Sequence, residues 1–329
     1  MSSIAGSFGF LGLSLIFLLM FVLILFYSER KLAAFMQDRT GPLHNGKYGS
    51  LQPFADLLKL LRKETIVPEG ANRFFFVCAP FMVFAPVLAG FSLLPLWPQY
   101  FKPAGTEAGL FILPAVISLE AVGILMAAWA SQSRFPRIGA ARAIAQLLAY
   151  EVPLGLVIFA LVWMNGTADF SQLEMQQHSS GMLSWNMFRQ PVCLLMMPVF
   201  FLSILAESNR APFDIPEGES EIIGGFHTEY SGFLWAVFFL AEYAMMLLLS
   251  LVFCYLFLGG AGSPFPSALP LLSEPSFFWL ALKAIFLGLL MIWIRWTLPR
   301  LRGDQLGRLA WHWLSPFAFL LLLGIVLLG

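Results

Sequence analysis

Long apolar runs alternate with short polar segments along the whole chain of 329 residues. A helix needs about 20 predominantly apolar residues to cross the hydrocarbon core of a bilayer. Runs of about that length predict eight membrane-spanning helices, at about 8–27, 74–97, 109–131, 143–164, 191–207, 231–258, 277–298 and 311–329. We therefore expect an all-α integral membrane protein with a single polytopic domain over residues 1–329.

Two of the connecting segments are longer than a simple loop requires. In the first, 28–73, five large apolar residues recur at helical spacing: Leu51, Phe54, Leu57, Leu58 and Leu61. Polar side chains occupy the positions between them, so the pattern predicts an amphipathic helix at about 50–63 that lies in the membrane interface. The second long segment, 207–230, is rich in acidic residues.

Composition and charge narrow the classes of function. Hydrophobic residues make up 59% of the chain and charged residues 12%, which excludes a soluble enzyme with a polar surface. The 19 Lys and Arg balance the 19 Asp and Glu, so net charge favours no nucleic-acid partner. Fifteen basic residues fall in the odd-numbered loops and two in the even-numbered ones. Since short cytoplasmic loops are enriched in Lys and Arg, the odd loops are predicted to be cytoplasmic and both termini to lie on the other side.

Metal and nucleotide chemistry find little support in the sequence. The three cysteines and four histidines are scattered, without the spacing of a metal site or of a bis-histidine haem. We therefore expect no metal bound by this chain. Residues 41–47 resemble a phosphate-binding loop, but Tyr48 stands where that loop requires Ser or Thr, so no nucleotide site is predicted.

Four acidic residues lie within or at the end of the apolar runs: Glu120, Glu151, Glu207 and Glu242. Each charged side chain costs about 2.5–3.5 kcal/mol at the centre of a bilayer helix. Only Lys283 and Arg295 are available as bases within the runs, so the acids cannot all be paired as ions and some are expected to carry a proton. Their graded depths predict a proton relay that Lys283 modulates. The alternative is that each carboxyl only bonds a neighbouring helix.

Two further features support such a relay. Pro153 follows Glu151 by two residues and removes a backbone hydrogen bond, which predicts a kink and a polar, hydratable pocket near Glu151. The acidic loop supplies further carboxyls, which are Asp214, Glu217, Glu219, Glu221 and Glu229. Apolar residues interleave with them, so part of the loop is expected to be buried and its carboxyls to share protons. A simple solvated loop is the alternative.

Several stretches of the chain resemble one known family. Residues 206–230 read A-E-S-N-R-A-P-F-D-I-P-E-G-E-S-E-I-I-G-G-F-H-T-E-Y, which closely resembles the signature loop of the H subunit (subunit 1) family of respiratory complex I, NADH:quinone oxidoreductase. Further matches include E-R-K-L-A-A-F-M-Q-D-R-T-G-P from Glu29, L-Q-P-F-A-D-L-L-K-L-L-R-K-E from Leu51 and W-I-R-W-T-L-P-R-L-R-G-D-Q from Trp293. The resemblance covers almost the whole chain.

The resemblance implies a non-redox subunit that joins the membrane arm of the complex to its peripheral arm and walls a quinone chamber. The first span, the amphipathic helix and the sixth span would form the mouth of that chamber. Matching motifs imply seven quinone-site residues: Arg30, Gln37, Arg39, Gln52, Phe54, Asp56 and Arg295. The family's carboxylate path would comprise Glu151, Glu207, Asp214, Glu217, Glu219, Glu221, Glu229 and Glu242, whereas Glu120 and Lys283 enter our prediction from their positions within apolar runs.

The resemblance also implies partners and a location. The chain would bind no cofactor alone, while NADH, FMN and iron–sulfur clusters would belong to partner subunits and quinone would be the substrate. Neighbouring membrane-arm subunits, peripheral-arm subunits and lipid would surround it in a bacterial plasma membrane or an organellar inner membrane. Gly303 and Leu57 depart from the residues common in the family, and these departures concern local packing rather than function.

Three alternatives remain open at this point. The equivalent subunit of a membrane-bound hydrogenase or ferredoxin-linked complex shares the acidic loop, although the intact E-R-K opening favours the quinone-reducing branch. An autonomous ion-coupled transporter usually contains repeats, and we find none in this sequence. A purely structural membrane anchor would have no reason to hold four carboxyls at graded depth.

Overall fold

The computed structural model describes residues 2–96, 107–178, 181–216, 218, 223–265 and 274–328. Within these ranges the regular structure is helical, and no strand occurs. Seven helical stretches of the described residues are long and apolar enough to cross a membrane, and Pro191–Glu207 is a shorter apolar helix. The expected all-α membrane fold is therefore confirmed.

The helices are numbered in chain order within the described ranges. They are α1 Ser2–Met36, α2 Gln52–Arg62, α3 Arg73–Leu93, α4 Gly109–Ile117, α5 Glu120–Ala130, α6 Arg134–Asn165, α7 Phe170–Gln176, α8 Asn186–Arg189, α9 Pro191–Glu207, α10 Gly232–Phe257, α11 Phe277–Thr297, α12 Gly303–Arg308 and α13 Ser315–Leu328. A π-helical segment, Leu309–Leu314, joins α12 to α13.

The two ends of the bundle differ in character. Helices α1, α9 and α11 finish at the end where α3, α6 and α10 begin, and we call this the charged end because it carries the acidic loop and most of the basic residues. At the opposite end, α10 finishes and α11 begins. The amphipathic helix predicted at about 50–63 corresponds to α2, at the charged end.

Two predicted boundaries at the charged end are wrong. The first loop was expected to begin at residue 28, but α1 continues to Met36, because the charged residues after the apolar run find partners within the fold. The fourth span was expected to begin at 143, but α6 begins at Arg134, and the Arg137 Nε donates 3.0 Å to the Ser133 carbonyl oxygen in its first turn. Both helices therefore extend beyond their apolar cores.

The third span is divided rather than continuous. Helix α4 ends at Ile117 and α5 begins at Glu120. Between them, the Ser118 hydroxyl donates 3.0 Å to the Ala115 carbonyl oxygen, a local bond of the kind that competes with helical hydrogen bonding. The break places Glu120 in the middle of the span Gly109–Ala130.

Helix α10 is the central helix of the bundle. Its most apolar stretch is 83% buried, against at most 50% for the other candidate spans among the described residues. A helix that is apolar on all sides belongs in the interior, and α10 contacts α1, α2, α3, α9 and α11. Residues on either side of the bundle are thereby held in fixed positions around one buried helix.

Close helix approaches depend on glycine. A Cβ added at Gly123 of α5 would lie 2.7 Å from the Val83 backbone nitrogen and 2.9 Å from the Met82 carbonyl carbon of α3. Those are backbone atoms, so the two helices would have to separate to admit a methyl group. Gly155 of α6, in contrast, has no heavy atom within 4 Å of its added Cβ.

We predict opposite outcomes for two glycine-to-alanine substitutions. Gly123→Ala is expected to destabilise the fold by about 1–3 kcal/mol through overpacking. Gly155→Ala is expected to be neutral or to stabilise the helix by up to about 1 kcal/mol. Thermal melting of the purified, detergent-solubilised protein would measure both, and equal melting temperatures would contradict the packing of α3 on α5.

Candidate functional site

A buried carboxylate at the charged end is bound by groups from three other segments. The Glu29 Oε1 of α1 lies 2.5 Å from the Arg295 Nη1 of α11, and its Oε2 lies 3.6 Å from the Arg210 Nη1 of the acidic loop. The Tyr243 hydroxyl of α10 donates a hydrogen bond to the same carboxylate. We call these four residues the Glu29 cluster. Only 8% of Glu29 and 5% of Arg210 is exposed, so the cluster is an internal ionic site.

Two bases of the Glu29 cluster share one carboxylate. The Glu29 oxygens face the guanidinium groups of Arg295 and Arg210. The Arg210 guanidinium also lies 4.2 Å from the centroid of the Tyr243 ring, a cation–π contact that partly compensates for its burial. Guanidinium groups held in fixed positions inside a fold stabilise negative charge that develops nearby.

A glutamine of α6 fixes the start of the acidic loop, which carries Arg210. The Gln146 Nε2 donates to the carbonyl oxygens of Ala206 and Phe213, each at 2.8 Å. It also lies 3.3 Å from the Asn209 Oδ1. A single buried amide therefore holds both sides of the turn that follows α9.

An apolar pocket of about 580 Å³ opens beside the cluster, between α1, α2 and α10. Its lining includes Leu23, Phe26, Leu57, Leu60, Phe239 and Leu240, and Arg30, Asp56 and Lys59 add polar groups. Phe26, Phe239 and Tyr243 pack on one another, with the Phe239 and Tyr243 ring centroids 4.7 Å apart. This aromatic group lies between the pocket and the Glu29 carboxylate, because Phe26 and Phe239 line the pocket and the Tyr243 hydroxyl donates to Glu29.

A hydrogen-bond network holds α2 against α1 at the pocket. The Arg30 Nη1 lies 2.6 Å from the Asp56 Oδ2, and the Gln52 Nε2 donates 3.0 Å to the Asp56 Oδ1. The Asn45 Nδ2 in turn donates 2.6 Å to the Gln52 Oε1. The ion pair is partly exposed, and pairs of that kind contribute about 0.2–1 kcal/mol. The network positions the helix more than it stabilises the fold.

The seven residues that the resemblance implied for a quinone site occupy different places. Arg30 and Asp56 line the pocket, Gln52 bonds to Asp56, and Arg295 belongs to the Glu29 cluster. Phe54 is 47% exposed and lies outside the pocket lining. Gln37 and Arg39 are exposed in the turn after α1.

Three of the four predicted intramembrane acids come together. Glu120 and Glu207 are buried, with 4% and 5% exposure, and Glu151 is half-buried. Glu207 lies within electrostatic range of both Glu120 and Glu151. The Glu120 Oε2 has no hydrogen-bond partner among the residues described. We call these three residues the carboxyl cluster, in which Glu207 is the member that both of the others influence.

A small cavity adjoins the carboxyl cluster. Its volume is about 30 Å³, and Ser118, Glu151 and Glu207 contribute its polar lining. Since one water needs about 10–15 Å³ of such space, the cavity has room for about two. A cavity therefore lies where the kink at Pro153 predicted a polar pocket.

The acidic loop is only partly within the described ranges. Asp214 and Glu229 are described and half-buried, whereas Glu217, Glu219 and Glu221 lie outside the described residues. At the end of the loop, Tyr230 stacks on Phe76 of α3, with ring centroids 4.0 Å apart. Burial raises the pKa of the Tyr230 hydroxyl above its ordinary value, so this anchor stays neutral at physiological pH.

Lys283 lies apart from the charged end, at the start of α11. Its Nζ donates to three carbonyl oxygens, those of Leu258, Gly260 and Gly262, at 2.6–2.9 Å, and it lies 4.2 Å from the Trp185 ring centroid. Glu242 is half-buried in the first half of α10, 16 residues before Leu258, which is about 24 Å along a helix. The structure therefore places Lys283 with the loop that follows α10.

Sequence reasoning missed most of the Glu29 cluster. Of its four residues, only Arg295 was predicted to be a site residue. Glu29 was missed because the predicted end of the first span at residue 27 placed it in a loop. Arg210 lies in the acidic loop, where only the carboxyls were predicted to act. The available signal was an acid and a base just beyond two apolar runs and a second base near the end of a third, but their pairing depends on which helices are neighbours.

These features define a class: an all-helical membrane protein with an internal ionic cluster beside an apolar pocket. Residues 10–326 match the family described as NADH dehydrogenase, and the chain belongs to that family. The H subunit numbered 2 of the NADH-quinone oxidoreductase of Cytophaga hutchinsonii is 42% identical to it, over 93% of this chain and 94% of that relative. The H subunits of the NADH-quinone oxidoreductases of Chlorobium luteolum and Rhodospirillum centenum are each 44% identical, over 89% and 92% of this chain and 81% and 87% of theirs. The resemblance to this family of complex I subunits is thus confirmed.

We predict that Glu29 and Arg295 stabilise the fold jointly. Glu29→Ala is expected to cost about 3 kcal/mol, because it leaves two guanidinium groups near each other without their counter-charge. In the double variant Glu29→Ala/Arg295→Ala, the two losses should fall short of additivity by about 1–3 kcal/mol. Melting temperatures of the purified protein would measure this cycle. Glu64→Ala, at an exposed position, is the control, and additive losses would contradict the pairing.

Proposed function

We propose that this chain is the membrane subunit of a proton-translocating NADH:quinone oxidoreductase that admits quinone and couples its reduction to proton movement. The observation that carries the proposal is the apolar pocket between α1, α2 and α10, which lies against the Glu29 cluster. Family membership and the names of the relatives support the same function. The chain acts as a non-redox subunit, and NADH, FMN and iron–sulfur clusters belong to partner subunits.

The chemistry of the pocket suits a quinone with an isoprenoid tail. Such sites are concave and mostly apolar, with a few polar groups that fix orientation, and the pocket combines an aliphatic and aromatic wall with Arg30, Asp56 and Lys59. The tail would lie against Leu23, Leu60 and Leu240, and the aromatic group at Phe26 and Phe239 would separate it from the ionic cluster. These are the three helices that the resemblance implies for the mouth of the chamber.

The ionic cluster offers a way to sense reduction. Quinone reduction adds negative charge before protons arrive, and a preorganised positive site stabilises such charge without reorganisation. Arg210 follows Glu207 by three residues, and Gln146 bonds both to the end of α9 and to the loop beyond Arg210. A change in charge or position at Arg210 would therefore reach the carboxyl cluster through one turn of chain.

The carboxyl cluster would then redistribute protons towards the membrane interior. Glu207 would pass a proton to Glu151 or Glu120, with water in the adjoining cavity as the bridge. Asp214, Glu217, Glu219, Glu221 and Glu229 would supply protons at the loop, and Glu242 would continue the path in α10. Lys283 is retained only as a distant modulator, because its ammonium is already bound by three carbonyl oxygens.

The proposal also assigns an orientation. By the distribution of basic residues, the charged end faces the cytoplasm of a bacterial cell and both termini face the other side of the plasma membrane. The peripheral arm would then contact the acidic loop and the turn after α1, where Gln37 and Arg39 are exposed.

Purification tests the assignment directly. Native membranes carrying a tagged chain would be solubilised in mild detergent, and the isolated material assayed for iron–sulfur subunits and inhibitor-sensitive NADH:quinone reductase activity. Both should be present. Iron–sulfur subunits with hydrogenase or ferredoxin activity instead would move the chain to a sister complex, and isolation of the chain alone would support an autonomous transporter.

We predict that filling the pocket impairs quinone access. Leu57→Trp, in the pocket lining, is expected to raise the KM for a long-tailed quinone about tenfold, as an overpacking cost of roughly 1–3 kcal/mol implies. NADH:ferricyanide activity, which bypasses the pocket, should not change. The control is Leu58→Trp on the adjacent, exposed position, and equal KM values for the two variants would overturn the assignment of the pocket.

We predict that the carboxyl cluster is required for coupling. Glu207→Gln and Glu151→Gln keep side-chain size but remove the exchangeable carboxyl, and each should lower quinone reduction and proton pumping in vesicles about tenfold. Ferricyanide reduction should stay normal. Glu69→Gln, at an exposed position in the first loop, is the matched control. Normal pumping in both cluster variants would refute the proton path.

A further inference from the structure

A second apolar groove, unrelated to the pocket described above, lies on the outer face of the bundle. It has a volume of about 640 Å³ and runs between the last turns of α1 and α11. Phe35, Phe286 and Trp293 on its walls are 82%, 63% and 54% exposed. In a chain that crosses a membrane, side chains of this kind on the outer surface are within reach of lipid.

The groove follows the line along which α1 and α11 are in contact. Further into the bundle the Phe17 and Phe277 ring centroids are 4.8 Å apart. A Cβ added at Gly288, at the level of the groove, would lie 3.1 Å from the Leu25 side chain, so the helices are in close contact there. Nearer the charged end, the Glu29–Arg295 pair joins the same two helices. Two helices in fixed contact therefore form the floor of the groove.

One end of the groove carries positive charge. Lys31 is the one charged residue among the described residues that line it. The Lys31 Nζ donates 2.8 Å to the Pro42 carbonyl oxygen and lies 3.5 Å from that of Thr40. It also lies 5.9 Å from the centroid of the Tyr27 ring. The ammonium is thus held at the rim, close to the helix ends.

The remaining lining matches the layers of a bilayer. Trp293 lies one turn before the end of α11, and the Tyr27 hydroxyl donates 3.0 Å to the Tyr48 carbonyl oxygen of the first loop. Such aromatic side chains favour the headgroup region. Phe286 lies seven residues before Trp293, which is about 10 Å deeper along a helix, and only apolar side chains line that part. A basic rim above an apolar channel between two spanning helices is the arrangement that binds anionic lipid.

We propose that this groove binds one anionic phospholipid, with its phosphate at Lys31 and an acyl chain between α1 and α11. The alternative occupant is an apolar helix of another subunit, and the ammonium of Lys31 at the rim favours an anionic headgroup over such a helix. The bound lipid would cover the bilayer-facing side of the helices that carry Glu29 and Arg295. This inference does not depend on the proposed function.

Photolabelling tests the site. The protein, in whatever assembly it purifies with, would be reconstituted into phosphatidylcholine vesicles containing phosphatidylglycerol with a diazirine in its acyl chain. After illumination, label is expected on peptides covering residues 27–35 and 286–293. Unlabelled phosphatidylglycerol should compete about fivefold better than phosphatidylcholine, as expected for one basic residue near the membrane surface.

Matched variants separate the two parts of the proposed site. Leu290→Trp fills the groove and should remove this label, whereas Leu282→Trp, exposed on α11 outside the lining, should not. Lys31→Gln should keep the label but abolish the preference for phosphatidylglycerol, while Lys63→Gln at an exposed position should leave the preference intact.

Three results would overturn the proposal. Absence of label in the unsubstituted protein would mean that another polypeptide covers the groove. Equal competition by the two lipids would mean that no anion is recognised. Persistence of the label in Leu290→Trp would mean that the lipid lies elsewhere. Leu290→Trp leaves Lys31 and its hydrogen bonds to the carbonyl oxygens of Thr40 and Pro42 in place. A loss of label in this variant therefore could not come from a disturbed loop at residues 40–42.

Discussion

The Glu29 carboxylate, held between two guanidinium groups, is the interaction on which the charged end of this protein depends. Glu29, Arg210, Tyr243 and Arg295 come from α1, the acidic loop, α10 and α11, so one buried anion fixes four segments relative to one another. A buried charge without partners is expensive, so the three partners of Glu29 are held close to it. The extension of α1 to Met36 follows from the same constraint, because Glu29 must reach its partners from a helix.

The positions of the pocket and of the carboxyl cluster follow from this arrangement. Tyr243 contributes both to the ionic cluster and to the aromatic group that ends at Phe239 and Phe26, so the pocket between α1, α2 and α10 adjoins the charge. On the other side, the loop that carries Arg210 begins at the end of α9, where Glu207 lies. Gln146 holds that loop from α6, five residues before Glu151. The Glu29 cluster and the carboxyl cluster are therefore separated by little more than one turn of backbone, between Glu207 and Arg210.

At the opposite end of the bundle, buried charged side chains have backbone groups as partners. The Lys283 ammonium has three hydrogens, and three carbonyl oxygens of the loop after α10 accept them. Glu174 of α7 accepts a hydrogen bond of 2.8 Å from the Ala261 backbone nitrogen of the same loop. These charges are satisfied by backbone groups instead of by each other, and they fasten a loop. The contrast explains why a count of acids against bases along the sequence did not reveal which charges are partners.

The sequence by itself determined the fold class, the approximate positions of the spans, the amphipathic helix and the family, because these depend on hydrophobic periodicity and on local motifs. The bounds 191–207 of the fifth apolar helix were predicted correctly, since polar residues at 190 and at 207–208 limit a predominantly apolar run. Only the tertiary structure decided that α1 extends past residue 27, that the third span is broken before Glu120, and that Glu29 pairs with Arg210 and Arg295. Those features depend on contacts between residues up to 266 positions apart, and no local pattern of hydrophobicity or charge encodes which helices become neighbours.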